Sequence, residues 1–288
     1  MLWWILLGLL AAGLLVAAYA ILIERRWYRL ARYRLDILPG GGPLTILHLS
    51  DLHMVDGEAH KRRFLESLPR ADVTIITGDL LGEPKAVEYV VESLRPLRGR
   101  LGSMFVLGSN DVYVPRPLNP LRYFVPHEKR RRRRGRRGRA PDLVAQLEAD
   151  GWVHLRNLRR GGSLDGVPME ILGLDDPHIH RGNVSLSPRR GTGRFGLAVV
   201  HSPDPAPELA ALGWDLIVTG HTHGGQVRLP WGRAIVTNSS IPRRMASGLH
   251  RIGRTFMHVS PGLGTSKYAP FRLFCRPEAT MLELRSAG

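Results

Sequence analysis

The chain has 288 residues, 32.1 kDa and 43% hydrophobic residues, enough to bury a real core, and its single cysteine, Cys275, excludes an intrachain disulfide and a thiolate metal cluster. Against 25 Asp and Glu stand 41 Lys and Arg, giving a formal net charge of +16 and a pI near 11.1. A balance this basic implies polyanionic surroundings: anionic lipid, nucleic acid or phosphorylated substrate.

From Met1 to Ile23 there is no charged residue. About 20 apolar residues suffice to cross the hydrocarbon core as a helix, so 1–23 reads as a transmembrane anchor. Trp3 and Trp4 at one end and Trp27 and Tyr28 at the other fit interfacial belts. The other reading is a cleaved signal peptide, for which Ala18-Tyr19-Ala20 offers a small-residue site, but no positive region precedes the apolar run. Arg25, Arg26, Arg29, Arg32 and Arg34 follow the span, which places the rest of the chain in the cytoplasm, on a single-pass cell-membrane anchor. Residues 24–42 read as a basic juxtamembrane segment and linker closing on Leu38-Pro39-Gly40-Gly41-Gly42-Pro43. Residues 43–288 read as one catalytic domain, because strand and helix signals alternate without a long neutral linker.

Thr45–Leu49 is strand-like and runs into Ser50-Asp51-Leu52-His53. In extended backbone, residues two apart share a face, so Asp51 and His53 can meet one ion. His60–Leu68 suits a short helix; Asp72–Thr77 is a β-branched strand delivering Gly78-Asp79. Pro84 opens a helix whose Val87, Val90, Val91 and Leu94 form a core stripe. Ser103–Leu107 then leads to Gly108-Ser109-Asn110-Asp111. In the loop 115–139, nine of the eleven residues from Lys129 to Arg139 are basic, which suits a mobile segment that meets an anionic membrane surface. Ala140–Ala149 reads as a helix closed by Gly151, Val167–Leu172 as a strand before Asp175-Asp176-Pro177-His178, and Gly196–Val200 as a strand tipped by His201. Glu208–Leu212 is a short helix, and Asp215–Thr219 leads to Gly220-His221-Thr222-His223-Gly224-Gly225-Gln226. Ala234–Thr237, Thr255–Val259 and Thr280–Leu284 read as later strands. His48, His60, His127, His154, His250 and His258 read as ordinary core or surface histidines, since none lies at a matching strand end.

Taken in order, Asp51 with His53, Gly78-Asp79, Asn110, His201 and the stretch from Gly220 to Gln226 resemble the calcineurin-like metallophosphoesterase superfamily from about Pro43 onward. Within it the chain is most similar to membrane-anchored bacterial members of actinobacterial type. The resemblance implies an α/β four-layer sandwich, two stacked mixed β-sheets flanked by helices, carrying here an N-terminal transmembrane helix. Periodicity alone leaves a doubly wound sheet open. Phosphate ester hydrolysis needs charge neutralised on the phosphoryl oxygens, a nucleophile at neutral pH and in-line geometry, and two divalent ions about 3.5–4 Å apart meet all three needs. By resemblance, Asp79 bridges the ions, Asp51, His53 and His223 complete the first, and Asn110, His201 and His221 the second, with an ionised water attacking phosphorus. Oxygen and imidazole ligands without thiolate favour manganese, with iron or zinc as alternatives.

One departure stands out: the family follows its metal-binding Asn with His, whereas Asp111 follows Asn110 here. An ordinary aspartate has a pKa of about 3.9 and is a poor proton donor at neutral pH, so Asp111 is expected to orient another group. His178, beside Asp176, is then a substitute acid, or else the leaving group is a phosphate or nucleotide that needs none. The catalytic candidates are therefore Asp79, Asn110, Asp111 and His178. The expected activity is hydrolysis of phosphodiester or pyrophosphate bonds, with lipid-linked compounds among the candidate substrates. A catalytically weak adaptor binding anionic lipid is the rival; a nuclease is disfavoured by the anchor and by the absence of an obvious DNA-binding domain.

Overall fold

Continuous apolar runs such as Val73–Ile76 and Phe195–Val200 can satisfy both faces only between two other layers, and that is where the chain puts them. The computed structural model describes residues 1–115, 117, 135–179, 188–189 and 193–287. Its elements in order are α1 (Leu2–Ala18), β1 (Arg29–Leu38), β2 (Leu44–Leu49), α2 (Ala59–Glu66), β3 (Val73–Ile76), α3 (Val87–Leu94), β4 (Gly102–Phe105), the single turn α4 (Ser109–Val112), α5 (Ala140–Ala149), β5 (Val153–His154), β6 (Arg159–Leu164), β7 (Val167–Leu174), β8 (Phe195–Val200), α6 (Ala206–Ala211), β9 (Leu216–Thr219), β10 (Gly248–Ile252), β11 (Thr255–Val259) and β12 (Glu278–Ser286).

The strands form two six-stranded sheets, ordered β1-β12-β2-β3-β4-β5 and β10-β11-β9-β8-β7-β6. Both are mixed: β2, β3, β4 and β5 run parallel in one and β7, β8, β9 and β11 in the other, with antiparallel pairs at β12–β2, β10–β11 and β6–β7. Side chains alternate accordingly. Ile46, Val73, Ile75, Phe195, Leu197, Val199, Leu216 and Val218 fill the space between the sheets. Leu47, Leu49 and Ile76 face α2, α3 and α5 on one outside, while Ala198, Val200 and Ile217 face α6 on the other. The result is the four-layer sandwich.

Three readings differ from the structure. Residues 29–38, expected as juxtamembrane linker, are β1, paired along its length with β12. Its arginines misled because an edge strand tolerates outward charge: Arg29 and Arg32 reach Glu278 and Glu283 while Leu35 and Leu38 are buried. The glycines at 40–42 therefore turn the chain between two strands of one sheet rather than joining anchor to domain. Ala234–Thr237 is not a strand; Ala234 makes one isolated bridge to Arg228, and the stretch is loop. Most of the basic 115–139 loop lies outside the described residues.

Helix α1 buries none of its residues, and the helical stretch continues to Arg26, 25 residues in all, within which an 18-residue window has mean hydropathy 2.6. Its last turns are built into the domain. The Ala20 carbonyl accepts from Arg272 N (3.1 Å), the buried Glu24 carboxylate accepts from Cys275 N (2.5 Å), and Arg276 lies over the Trp27 ring at 4.1 Å.

Candidate metal centre

The parallel strands β2, β3 and β4, and likewise β7, β8 and β9, each deliver a polar loop at the C-terminal end: Asp51 and His53, Asp79, Asn110, Asp176 and His178, His201, and His221 and His223. Asp51 (φ 47°), His53 (42°), Asp79 (53°), His221 (67°) and His223 (51°) all adopt left-handed backbone. Such conformations cost on the order of 1 kcal/mol each in a non-glycine residue and persist where surrounding bonds impose them. Here Asp51 N donates to Gly78 O, His53 N to Asp79 O, Gly264 N to Asp51 O and His221 N to Asp51 Oδ2. Asp51 and His53 thus converge through tight turns beyond β2, not through the extended alternation expected from their spacing. Glycines permit the closeness: a Cβ on Gly220 would lie 1.8 Å from Ser50 Oγ, and one on Gly108 2.1 Å from Asp79 Oδ1.

Ligand atoms of Asp51, His53, Asp79 and His223 lie within 4.8 Å of one another. His53 Nε2 is 3.1 Å from His223 Nε2 and 3.5 Å from Asp79 Oδ2, and His223 Nε2 is 3.5 Å from Asp51 Oδ1. Two ligands about 2.1 Å from one ion, at 90° to 110°, stand about 3.0 to 3.5 Å apart, so this spacing fits one divalent ion. Asp51 Oδ2 is engaged by Ser50 Oγ and His221 N, whereas the buried Oδ1 has no hydrogen-bond partner.

Beside this group, His201 Nδ1 is 2.7 Å from the Thr77 carbonyl and His221 Nε2 is 3.3 Å from that of Asn238. Each carbonyl accepts a ring N–H and so fixes the tautomer, leaving His201 Nε2 and His221 Nδ1 to face each other at 3.2 Å. The donors present therefore suit two adjacent divalent ions. Asn110 donates from its backbone N and Nδ2 to the two oxygens of Asp79, so it is Asp79's hydrogen-bond partner here.

Electrostatics agree with ligand duty. Burial, with its neighbouring imidazoles, keeps His53 and His221 neutral, and burial with Arg272 pushes His223 down to about 3. Burial also opposes charge on His201, but the carboxylates of Asp79, Asp176 and Asp51 outweigh it and hold that histidine at about 9. Asp79 is pushed up to about 6, chiefly by burial. These buried carboxylates attract positive charge, and in the metal-free protein a proton on His201 supplies it.

Asp111 does not face the cavity. Its Oδ1 accepts from Leu80 N and Leu81 N, its Oδ2 from Asp79 N and Gly108 N. Burial and the Asp79 carboxylate push it up to about 7, while its two oxygens accept all four of these backbone N–H groups. It clamps the turn that carries Asp79, the geometry expected of a residue that orients another group. His178 stacks on His221 with ring centroids 4.6 Å apart, its Nδ1 3.0 Å from Asp176 Oδ1 and its Nε2 2.5 Å from Asp204 Oδ2. Asp176, His178 and His221 also bring ligand atoms within 4.8 Å of one another. Sequence reasoning missed Asp204, which is held by Ser202, Ser239 and Ser240. No motif marks it. Arg272 was missed too: wholly buried, it donates to the carbonyls of Pro261, Gly262 and Gly264, the loop that backs Asp51.

Residues 44–225 match the family model for calcineurin-like phosphoesterases. The chain is 28% identical to the metallophosphoesterase YkuE of Bacillus subtilis, across 98% of this chain and 95% of that one. It is 27% identical to the phosphodiesterase YaeI of Escherichia coli (91% and 90% covered) and 24% identical to the UDP-2,3-diacylglucosamine pyrophosphatase LpxG of Chlamydia muridarum (83% and 83%). With most of the chain matched and the carboxylates and imidazoles gathered at the strand ends as metal chemistry requires, it belongs to the calcineurin-like phosphoesterase family and is a metal-dependent phosphoric ester hydrolase.

Proposed function

We propose that the chain is a membrane-anchored enzyme that hydrolyses phosphodiester or pyrophosphate bonds in lipid-linked substrates, using two divalent ions. The observation that carries this reading is the pairing of Asp51, His53, Asp79 and His223 with the facing nitrogens of His201 and His221. Asp51, His53 and His223 would hold the first ion, Asn110, His201 and His221 the second, and Asp79 would serve both. When bound, the two ions neutralise phosphoryl charge and lower the pKa of the attacking water. The chain's own residues do the rest: Ser50 orients Asp51, the Thr77 and Asn238 carbonyls set the imidazole tautomers, and Asp111 fixes the Asp79 turn. His178, steadied by Asp176 and Asp204, is the proton donor to the leaving oxygen. A pyrophosphate leaves without such help, and the similarity to the Chlamydia pyrophosphatase LpxG favours that bond type.

Manganese is the first choice of metal for an oxygen and imidazole set lacking thiolate. The apolar helix ending at Arg26 supports the anchor, and because Ala20 and Glu24 are built into the domain, cleavage beside them would remove part of the fold. The basic flank argues for a cytoplasmic domain on an anionic membrane surface. The anchor argues against a nucleic-acid substrate. Purified full-length protein loaded with manganese is expected to turn over aryl phosphodiesters and nucleotide-lipid pyrophosphates, with Asp79→Ala and His221→Ala inactive. Equal turnover by those variants and the wild type would overturn the metal-site reading; wild-type turnover confined to phosphomonoesters would overturn the substrate reading.

A further inference from the structure

Away from the metal centre, Trp231, Arg233, Arg243 and Arg244 line a surface cavity of about 750 Å³. The three arginines are exposed and gathered on one cavity, and among the described residues none of them has an ion pair. Cations gathered around one cavity without an acid repel one another until an anion enters. Trp231, 74% exposed, is the most exposed large apolar side chain after the N-terminal helix among the described residues. A tryptophan beside unpaired arginines is the pairing found where a protein meets a headgroup layer.

Connectivity puts this face beside the anchor. Arg228 N donates to Leu273 O and Val227 bridges the same residue, so the 227–235 loop is tied to the segment around Leu273. That segment is bonded in turn to the end of the apolar helix, Arg272 N to Ala20 O and Arg25 Nη1 to Pro270 O. Phe271 and Phe274 flank the junction, 38% and 50% exposed.

We propose that this cavity seats the phosphate of an anionic lipid headgroup in the bilayer the anchor spans, with Trp231, Phe271 and Phe274 resting among the headgroups. The inference deepens the proposed function and rests on its anchor. Because the loop that follows the cavity wall supplies the Asn238 carbonyl to His221, a lipid seated there lies next to the metal centre's own wall.

The test uses full-length protein in mixed micelles titrated with phosphatidylglycerol brominated near the headgroup, the quenching of Trp231 being read as wild type minus Trp231→Phe. Saturable quenching is expected with phosphatidylglycerol and little with brominated phosphatidylcholine. Half-saturation should move by about 100-fold in the Arg233→Gln/Arg243→Gln/Arg244→Gln variant and by about 5-fold in each single variant. Turnover of a soluble aryl phosphodiester should be unchanged in all of them. Equal quenching by both lipids, an unmoved midpoint in the triple and single variants, or equally tight competition by inorganic phosphate, which identifies a soluble anion, would each overturn the proposal. Alkaline carbonate extraction judges the anchor separately: a chain released from membranes fails the anchor reading, and a retained chain without Trp231 quenching fails only this one.

Discussion

Two of the histidine pairs that face each other among the described residues are nearly alike in spacing, though one is edge-on, with its rings at 76°, and the other stacked, at 25°. His48 and His258 approach Nδ1 to Nδ1 at 2.9 Å with ring centroids 5.0 Å apart; His53 and His223 approach Nε2 to Nε2 at 3.1 Å with centroids 4.9 Å apart. Burial holds all four well down from the ordinary histidine range. The difference lies around them. His48 sits in regular strand β2 between the sheets, its Nε2 bonded to Thr77 Oγ1. His53 and His223 sit on left-handed turns with Asp79 and Asp51 oxygens 3.5 Å away. Close imidazoles alone therefore say little; carboxylates within reach and backbone bent to hold them there distinguish a metal centre from a core contact.

The comparison can be broken most directly by removing a partner from each pair's surroundings. Asp79→Ala is expected to lower turnover of an aryl phosphodiester about 1,000-fold and to cut the bound metal, read by elemental analysis of the purified protein. In contrast, His48→Gln should keep full metal content. Next in size, Gly220→Ala drives a Cβ into Ser50 and Asp51, and overpacking of that kind costs about 1–3 kcal/mol, measurable by urea unfolding alongside a loss of bound metal. A third variant, His48→Leu, strands the His258 ring and leaves the Thr77 hydroxyl only its bond to Ser50 Oγ, costing about 1–3 kcal/mol of stability while activity at saturating metal stays within about threefold of wild type.

The smallest effect is also the most graded. Protons and the ion compete for the same site: below about 9 the metal-free protein carries a proton on His201, and below about 6 another on Asp79. Metal affinity should therefore rise with pH by about tenfold per unit for each proton displaced, levelling off above 9, with about one proton released near neutrality. Calorimetry in buffers of different ionisation enthalpy reads that release directly. The His48–His258 pair titrates with the opposite bearing. Its folded pKa values are depressed, His258 to about 3, so the unfolded chain binds more protons and stability falls as pH drops from about 6.5 toward 3. A pH series of urea midpoints should lose part of that slope in His258→Gln, the part that buried His48 contributes remaining.

Legibility followed burial. Strands β3, β8, β9 and β11 are covered on both faces, so their apolar, β-branched runs announce them. Helix α5 is bounded by Pro141 at its start and Gly151 beyond its end, and its limits were readable to the residue. Strands β1 and β6 were not: one is an arginine-bearing edge, the other the exposed, glycine-containing Arg159–Leu164, and an outer strand owes its existence to its neighbour's free backbone groups. Ala234–Thr237 failed in reverse, its β-branched residues being spent on a loop.

By itself the sequence determined the layered α/β fold, the family, and which acidic, amide and imidazole residues end the central strands, because these depend on local pattern and on short motifs. Only the tertiary structure decided that Asp111 clamps the Asp79 turn, that Asp204 reaches His178, that carbonyls of Thr77 and Asn238 set two tautomers, and that the base of the apolar helix is bonded to the loop carrying Arg272. The reason is physical: each of these is a hydrogen bond or close charge contact between segments distant in the chain, and such contacts leave no periodicity to read.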